Sequence, residues 1–141
     1  MEANLNVLND LIFTAENNLR FLHWNIKTPY FIYLHEFYGK HYKILGDWLD
    51  RFSERLRQLG AIAKNPLDSN TDYIGIYSTI KETDIGFGGK TGMYEAVAIY
   101  DALKAITLAT MRDPIDKVTE DMAIDFLAYV DNTIYELRSS F

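Results

Sequence analysis

Leu5, Leu8, Ile12, Ala15, Leu19, Leu22 and Ile26 follow one another in steps of three and four, which lays a single apolar stripe along a long helix. The Thr28-Pro29 step ends it, because the residue before a proline is pushed out of the helical region. A second helix runs from about Tyr30 to Leu59. It carries Phe31, Leu34, Tyr38, Leu45, Trp48, Phe52, Leu56 and Leu59 on one side, with Gly60 placed to cap its C-terminus. From Ala61 to Lys90 the texture changes. Asn65-Pro66, Ser69-Asn70 and Gly86-Phe87-Gly88-Gly89 punctuate a long connection, within which Tyr77 to Thr83 predicts one short helix. A third helix (about Thr91 to Arg112) bears Met93, Val97, Tyr100, Leu103 and Thr107, and Asp113-Pro114 closes it. The fourth begins near Asp116 or Thr119. Its stripe is Leu127, Val130, Ile134 and Leu137, and Glu120 and Asp121 in its first turn complement the helix dipole. The pattern is all-α: a four-helix bundle with one long crossover connection, forming a single domain over residues 1–141.

Composition agrees with one packed domain, since 141 residues with 48% hydrophobic and 14% aromatic content can bury a substantial core. The absence of cysteine excludes disulfides, thiolate metal sites and a cysteine nucleophile, and suits a reducing cytosol. The opening residues MEANLNVLND lack the basic and apolar regions of a signal peptide, and no segment stays apolar for the ~18 residues of a membrane span. A soluble, cytoplasmic protein without membrane contact is expected. A net charge of -6 argues against a protein that holds nucleic acid by neutralising phosphates.

The candidate chemistry is concentrated in one stretch. All three histidines, His23, His35 and His41, fall there together with Asp50 and Glu54, and imidazole with carboxylate is the mixed ligand set of iron, manganese and zinc. Asp50 lies fifteen residues beyond His35 on one helix, a rise of ~22 Å, so one chain cannot bring both to one ion. Asp50 and Glu54 stand one turn apart and can share a metal, while His35 meets His23 if the first two helices are antiparallel. Each chain thus carries two half-sites. Two copies of the second helix, antiparallel about a two-fold axis near Ile44 and Leu45, would join each half to its complement. Gly39 and Gly46, seven residues apart on the face of His35 and Tyr42, either admit another backbone or accommodate a kink or a bulky neighbour.

These residues resemble a family, the DNA-protection-during-starvation proteins (Dps, or mini-ferritins), whose bundle is ferritin-like. Leu22-His23-Trp24-Asn25, His35-Glu36 twelve residues after the first histidine, and Asp50-Arg51-Phe52-Ser53-Glu54-Arg55 ending in Leu59-Gly60 carry the likeness. It continues more weakly through Ser78-Thr79-Ile80-Lys81-Glu82 and Val118-Thr119-Glu120-Asp121-Met122. The resemblance implies a hollow homododecamer built from two-fold dimers. It would oxidise Fe(II), with hydrogen peroxide as preferred oxidant, and store the ferric product inside. His23 and His35 would come from one subunit, and Glu54, with Asp50 as ligand or close neighbour, from its mate. Zinc or manganese could occupy the same place. Trp24 would trap an oxidising equivalent, and Asp116, Glu120, Asp121 and Asp125 resemble the lining of the three-fold pore through which iron enters.

One departure changes the picture. The family usually has an aspartate four residues after the second histidine, and here that position is Gly39. By helical phase Glu36, Tyr38 and His41 point elsewhere, so water would fill the gap and one iron could bind instead of two. Neither Met1 to Asn6 nor Arg138 to Phe141 is basic, which argues against direct DNA coating. Each assignment has a structural counterpart. His41 reads as a hydrogen-bonded core histidine, Asp50 and Glu54 alone would be a solvated pair among Arg51 and Arg55, Trp24 could simply pack, and Asp116 or Thr119 could cap the last helix. Three functions follow: a ferroxidase that stores iron, a non-catalytic shell or partner-binding assembly with a degenerate metal site, and a helical interaction module without a defined large oligomer.

Overall fold

A computed structural model describes residues 1–68 and 92–140. Four helices dominate it: α1 (Glu2–Asn25), α2 (Phe31–Gln58), α3 (Met93–Arg112) and α4 (Lys117–Ser139), with a 3-10 turn at Pro66–Asp68. Among the described residues there is no strand, and no helix is long and apolar enough to cross a membrane. The short helix expected at Tyr77 to Thr83 lies outside the described residues.

Every member of the α1 stripe is at most 3% exposed, so the three-four spacing translated directly into a buried face. Against it lies α2, and three contacts define their relation. Asn9 Nδ2 donates to Ser53 Oγ, Glu16 sits beside Gly46, and His23 lies against Gly39. As the α1 number rises by seven, its partner's falls by seven, and the pair is antiparallel. α1 also packs on α3, and α3 on α4. The middle of the core is aromatic, with the Phe126 ring 5.1 Å from Trp48 and 5.6 Å from Phe52.

The ends of the stripes differ from expectation. Phe31 is 39% exposed and Leu59 is only half-buried, because a first or last turn has neighbours on one side alone. In α4 Ala123 and Phe126 point inward, whereas Leu127 is half-buried. Val130, Ile134 and Leu137 of the expected stripe are buried, so the inward face differs in having Phe126 in place of Leu127.

Polar contacts set the joints. The Asn6 amide donates to the Ile62 carbonyl (3.3 Å) and its oxygen accepts from the Lys64 amide (3.0 Å), holding the start of the crossover on α1. Asp116 caps α4 by accepting from the Thr119 amide at 2.9 Å. The same carboxylate takes the Thr119 hydroxyl at 2.6 Å and the Arg55 guanidinium at 2.7 Å. These bonds, those to Thr119 first, hold its carboxyl down at about 2. Gly60 follows α2 with φ of 85°, a left-handed conformation that glycine adopts without strain.

Candidate functional site

His23 occupies the last turn of α1 and His35 the second turn of α2, on either side of the short connection at Thr28-Pro29. Their interaction is reciprocal: His23 Nδ1 bonds the His35 carbonyl at 2.6 Å, and His35 Nδ1 bonds the His23 carbonyl at 2.7 Å. A carbonyl oxygen only accepts, so each Nδ1 must carry the proton. Each Nε2 is then left with its lone pair, the form in which imidazole binds a metal. The rings stack at 3.9 Å between centroids with 13° between planes. Phe31 covers the other side of His35 at 4.9 Å, and Tyr42 meets His23 edge-on at 5.5 Å. Phe31 lies one helical turn before His35, a spacing that could have marked it as the ring's support. Because the two lone pairs lie in nearly parallel planes, they do not converge on one ion. A single cation takes one imidazole as the rings stand, or both after they tilt apart.

Gly39 explains how His23 fits. A Cβ at that position would fall 2.8 Å from His23 Cε1 and 2.9 Å from Nδ1. The glycine therefore makes room for a bulky neighbour from α1. At Gly46 the neighbour is the Glu16 carboxylate, 3.3 Å from where a Cβ would stand. The close approach at both glycines is thus used within the chain by side chains. The space in which a carboxylate at position 39 would begin is occupied by the His23 ring. None of the nearby groups replaces that carboxylate: Glu36 is exposed, Tyr38 is fully buried, and His41 turns inward to bond Tyr129 at 2.8 Å. The structural reading of His41 is the one observed.

Asp50 and Glu54 are both exposed on α2. Among the described residues neither forms an ion pair with Arg51 or Arg55. Arg51 lies over the Trp48 ring at 4.0 Å, and Arg55 is engaged by Asp116. Asp50 lines an open cavity of about 370 Å³ with Glu16, Arg20, Tyr42 and Gly46. There Glu16 pairs with Arg20 at 3.1 Å, and Arg20 lies over Tyr42 at 4.7 Å. Burial raises the Glu16 pKa against the pull of Arg20. Among the described residues no three His, Asp or Glu side chains are placed to hold an ion, as the ~22 Å rise between the histidines and the carboxylates requires. At the position expected for the two-fold axis, Leu45 is fully buried in its own bundle, in line with its place on the α2 stripe, and Ile44 is half-buried.

The remaining candidates separate by environment. Trp24, next to His23, is 64% exposed and is not a core packing residue. Asp116 is the cap described above. Glu120 and Asp121 both approach Lys117, at 3.5 and 3.3 Å, and Asp125 is exposed one turn further along α4.

Known proteins share this architecture. The ferritin-like domain pattern matches residues 2–83. Over 135 residues the chain is 26% identical to DNA protection during starvation protein 2 of Bacillus anthracis, covering 92% of this chain and 86% of that protein. The fold is similar to Dps from Staphylococcus aureus, with a TM-score of 0.83, 22% identity, and coverage of 99% of this chain and 93% of that one. It is equally similar to the DPS protein of Vibrio cholerae O1, described as a member of a broad superfamily of ferritin-like diiron-carboxylate proteins. There the TM-score is 0.83 at 22% identity, over 98% of this chain and 86% of that one.

Proposed function

The chain belongs to the ferritin-like family, with Dps mini-ferritins as its relatives, and from that we propose that it binds and oxidises Fe(II) at sites shared between subunits and stores the ferric product in a hollow homo-oligomer. The observation that carries this reading is the reciprocal His23–His35 pairing. It fixes which tautomer each neutral ring adopts, with Nε2 the nitrogen available to a metal on half-buried residues, which is what a waiting metal half-site needs. Asp50 and Glu54 supply the oxygen half; both are exposed, while Arg51 lies over Trp48 and Arg55 is engaged by Asp116. A two-fold dimer brings the histidines of one protomer to the carboxylates of the other.

Iron is the substrate here. Carboxylates favour Fe(III) over Fe(II) because the product carries more charge, so Asp50 and Glu54 drive the oxidation, and the histidines position the incoming ion. Hydrogen peroxide is the proposed oxidant, and a dodecamer the proposed assembly. Zinc and manganese suit the same donors and would compete with iron. The acidic residues near the start of α4, Glu120, Asp121 and Asp125, would draw Fe(II) toward the shell. The acidic balance of the chain speaks against DNA as a partner. A cytoplasmic location is proposed on the lack of cysteine.

Gly39 favours a second reading, a shell with a weakened or silent metal site, because the His23 ring occupies the ground of the missing carboxylate. Mixed assemblies decide between them. In a dimer of a His35→Ala subunit with a Glu54→Ala subunit, one shared site loses both halves and the other keeps both. Anaerobic Fe(II) binding and ferric absorbance after peroxide should therefore return in the mixture, although each parent lacks them. Mixtures indistinguishable from the parents would sink the shared site. A wild-type assembly that neither binds nor oxidises iron would establish the silent shell.

A further inference from the structure

His41, Tyr100 and Tyr129 bring polar atoms from α2, α3 and α4 together inside the bundle. The Tyr129 hydroxyl lies 2.8 Å from His41 Nδ1 and 2.7 Å from the Tyr100 hydroxyl. His41 is 3% exposed and Tyr100 fully buried. His41 Nε2 is buried and finds no hydrogen-bond partner among the described residues. An unmatched polar atom in a core costs stability, so packing alone would be served better by leucine or phenylalanine. Burial keeps His41 neutral by lowering its pKa to about 4, and burial raises that of Tyr129 above the ordinary phenol range. Tyr129 thus keeps its proton, and with the His41 proton on Nε2 its hydroxyl can donate to the His41 Nδ1 lone pair while Tyr100 donates to the Tyr129 oxygen.

A phenol that loses an electron becomes a strong acid. Tyrosine is therefore oxidised readily where a neutral base already stands within hydrogen-bond reach, as His41 does. The trio also lies on an aromatic path. The Phe37 ring is 4.3 Å from His41, Phe126 is 6.0 Å from Tyr129, and Trp48 is 5.1 Å from Phe126. Phe37 is two residues from His35, and Trp48 two residues from Asp50. The aromatic contacts run through the core of one protomer, from Phe37 by way of the trio to Trp48, both on the helix that carries His35, Asp50 and Glu54.

We propose that Tyr100, Tyr129 and His41 form a buried sink for single oxidising equivalents, in which Tyr129 gives up one electron and its phenolic proton passes to His41 Nδ1. The source of the oxidant rests on the iron reading above. If Gly39 limits the shared site to one iron at a time, one Fe(II) with one hydrogen peroxide yields Fe(III), hydroxide and a hydroxyl radical. The radical takes the electron from Tyr129 and becomes hydroxide, leaving a tyrosyl radical beside an imidazolium. A second Fe(II) then reduces Tyr129, becoming Fe(III), as His41 returns the proton. The sum is two Fe(II) and one peroxide converted to two Fe(III) and two hydroxides, with no radical left over. The sink thereby lets a single-iron site complete a two-electron reduction.

The test oxidises the metal-free, full-length assembly with photogenerated ruthenium(III) tris-bipyridyl, which needs no iron site, and reads the freeze-quenched electron paramagnetic resonance. A tyrosyl signal lost in Tyr129→Phe and His41→Leu but kept in Tyr135→Phe, an exposed control, is the expected result. A signal unchanged in Tyr129→Phe overturns the proposal. Spin trapping with peptide mapping reads the unmodified protein and does not depend on the variants folding: an adduct on Tyr129 supports the sink, and adducts confined to exposed Tyr30, Tyr94 and Tyr135 overturn it. Repeating the experiment with Fe(II) and peroxide separates the two readings. A Tyr129 radical under the photo-oxidant but none with iron supports the sink and places the failure in the iron reading.

Discussion

Replacing Gly39 and Gly46 by alanine, one at a time, is expected to move stability in opposite directions although both glycines lie inside α2. On an open helix either change favours the folded state by ~1 kcal/mol, through the lower backbone entropy of alanine. At Gly46 the new Cβ would stand 3.3 Å from Glu16 Oε1. That atom is the tip of a flexible side chain and can yield a few tenths of an ångström, so a gain of ~0.5–1 kcal/mol should survive. At Gly39 the new carbon would lie 2.8 Å from His23 Cε1, and ordinary contact begins at 3.4 Å, so the ring has to retreat by at least 0.6 Å. It is held by a 2.6 Å bond to the His35 carbonyl and by stacking at 3.9 Å. Overpacking of this kind costs ~1–3 kcal/mol, including the weakened hydrogen bond. Set against the ~1 kcal/mol of helix propensity, the net effect is a loss of up to ~2 kcal/mol. Thermal unfolding at a fixed protomer concentration measures both variants, at about 2–4 °C per kcal/mol for a chain of this size. Anaerobic Fe(II) affinity, read alongside, should fall for Gly39→Ala alone because His23 has moved. Equal rises in Tm for the two variants, with iron binding unchanged, would refute the account of how His23 is seated. For the same reason Gly39→Asp should not restore a ligand by simple addition, since its Cβ meets the same ring.

Three further outcomes follow from the packing. Burial lowers the His41 pKa from 6.5 to about 4, so between those values the unfolded chain binds a proton that the fold refuses. Stability should therefore fall as pH drops from about 6.5 to 4, by ~3 kcal/mol in all. His41→Leu should flatten that slope in Tm against pH, and parallel curves would count against it. Asp116→Ala removes the α4 cap and the Arg55 contact and should cost ~1–2 kcal/mol near neutral pH. Because the Asp116 carboxyl is held at about 2 against an ordinary 3.8, its contribution is complete above about pH 4 and lost as pH falls toward 2. The two melting curves should converge in acid, and a constant gap would assign the cost elsewhere. Asn6→Ala releases the Ile62 carbonyl and the Lys64 amide, so trypsin should cut after Lys64 sooner; an unchanged cleavage rate would show that the crossover is anchored by other contacts.

Much of the fold was legible because helical periodicity is written along one dimension. The α1 stripe, the stop at Thr28-Pro29 and the close at Asp113-Pro114 are local properties of consecutive residues, and each is where the spacing put it; of the two caps left open for α4, Asp116 and Thr119, the structure uses Asp116. The four-residue step from Asp50 to Glu54 and the twelve from His23 to His35 were readable in the same way. Legibility failed where a residue's surroundings come from another helix. Phe31 matched the core and is exposed, and at one position of α4 Phe126 points inward where Leu127 was expected.

The sequence by itself determined which segments are helical, which of their faces are apolar, and that the histidine and carboxylate half-sites of one chain are too far apart to meet, since all three depend only on the rise and turn of a single helix. Tertiary structure alone decided that His23 lies over Gly39, that the two histidines hold each other's tautomer through their backbone carbonyls, and that His41 points at Tyr129. Those outcomes depend on the rotation and register of one helix against another, which many side chains settle together and no single stretch of residues encodes.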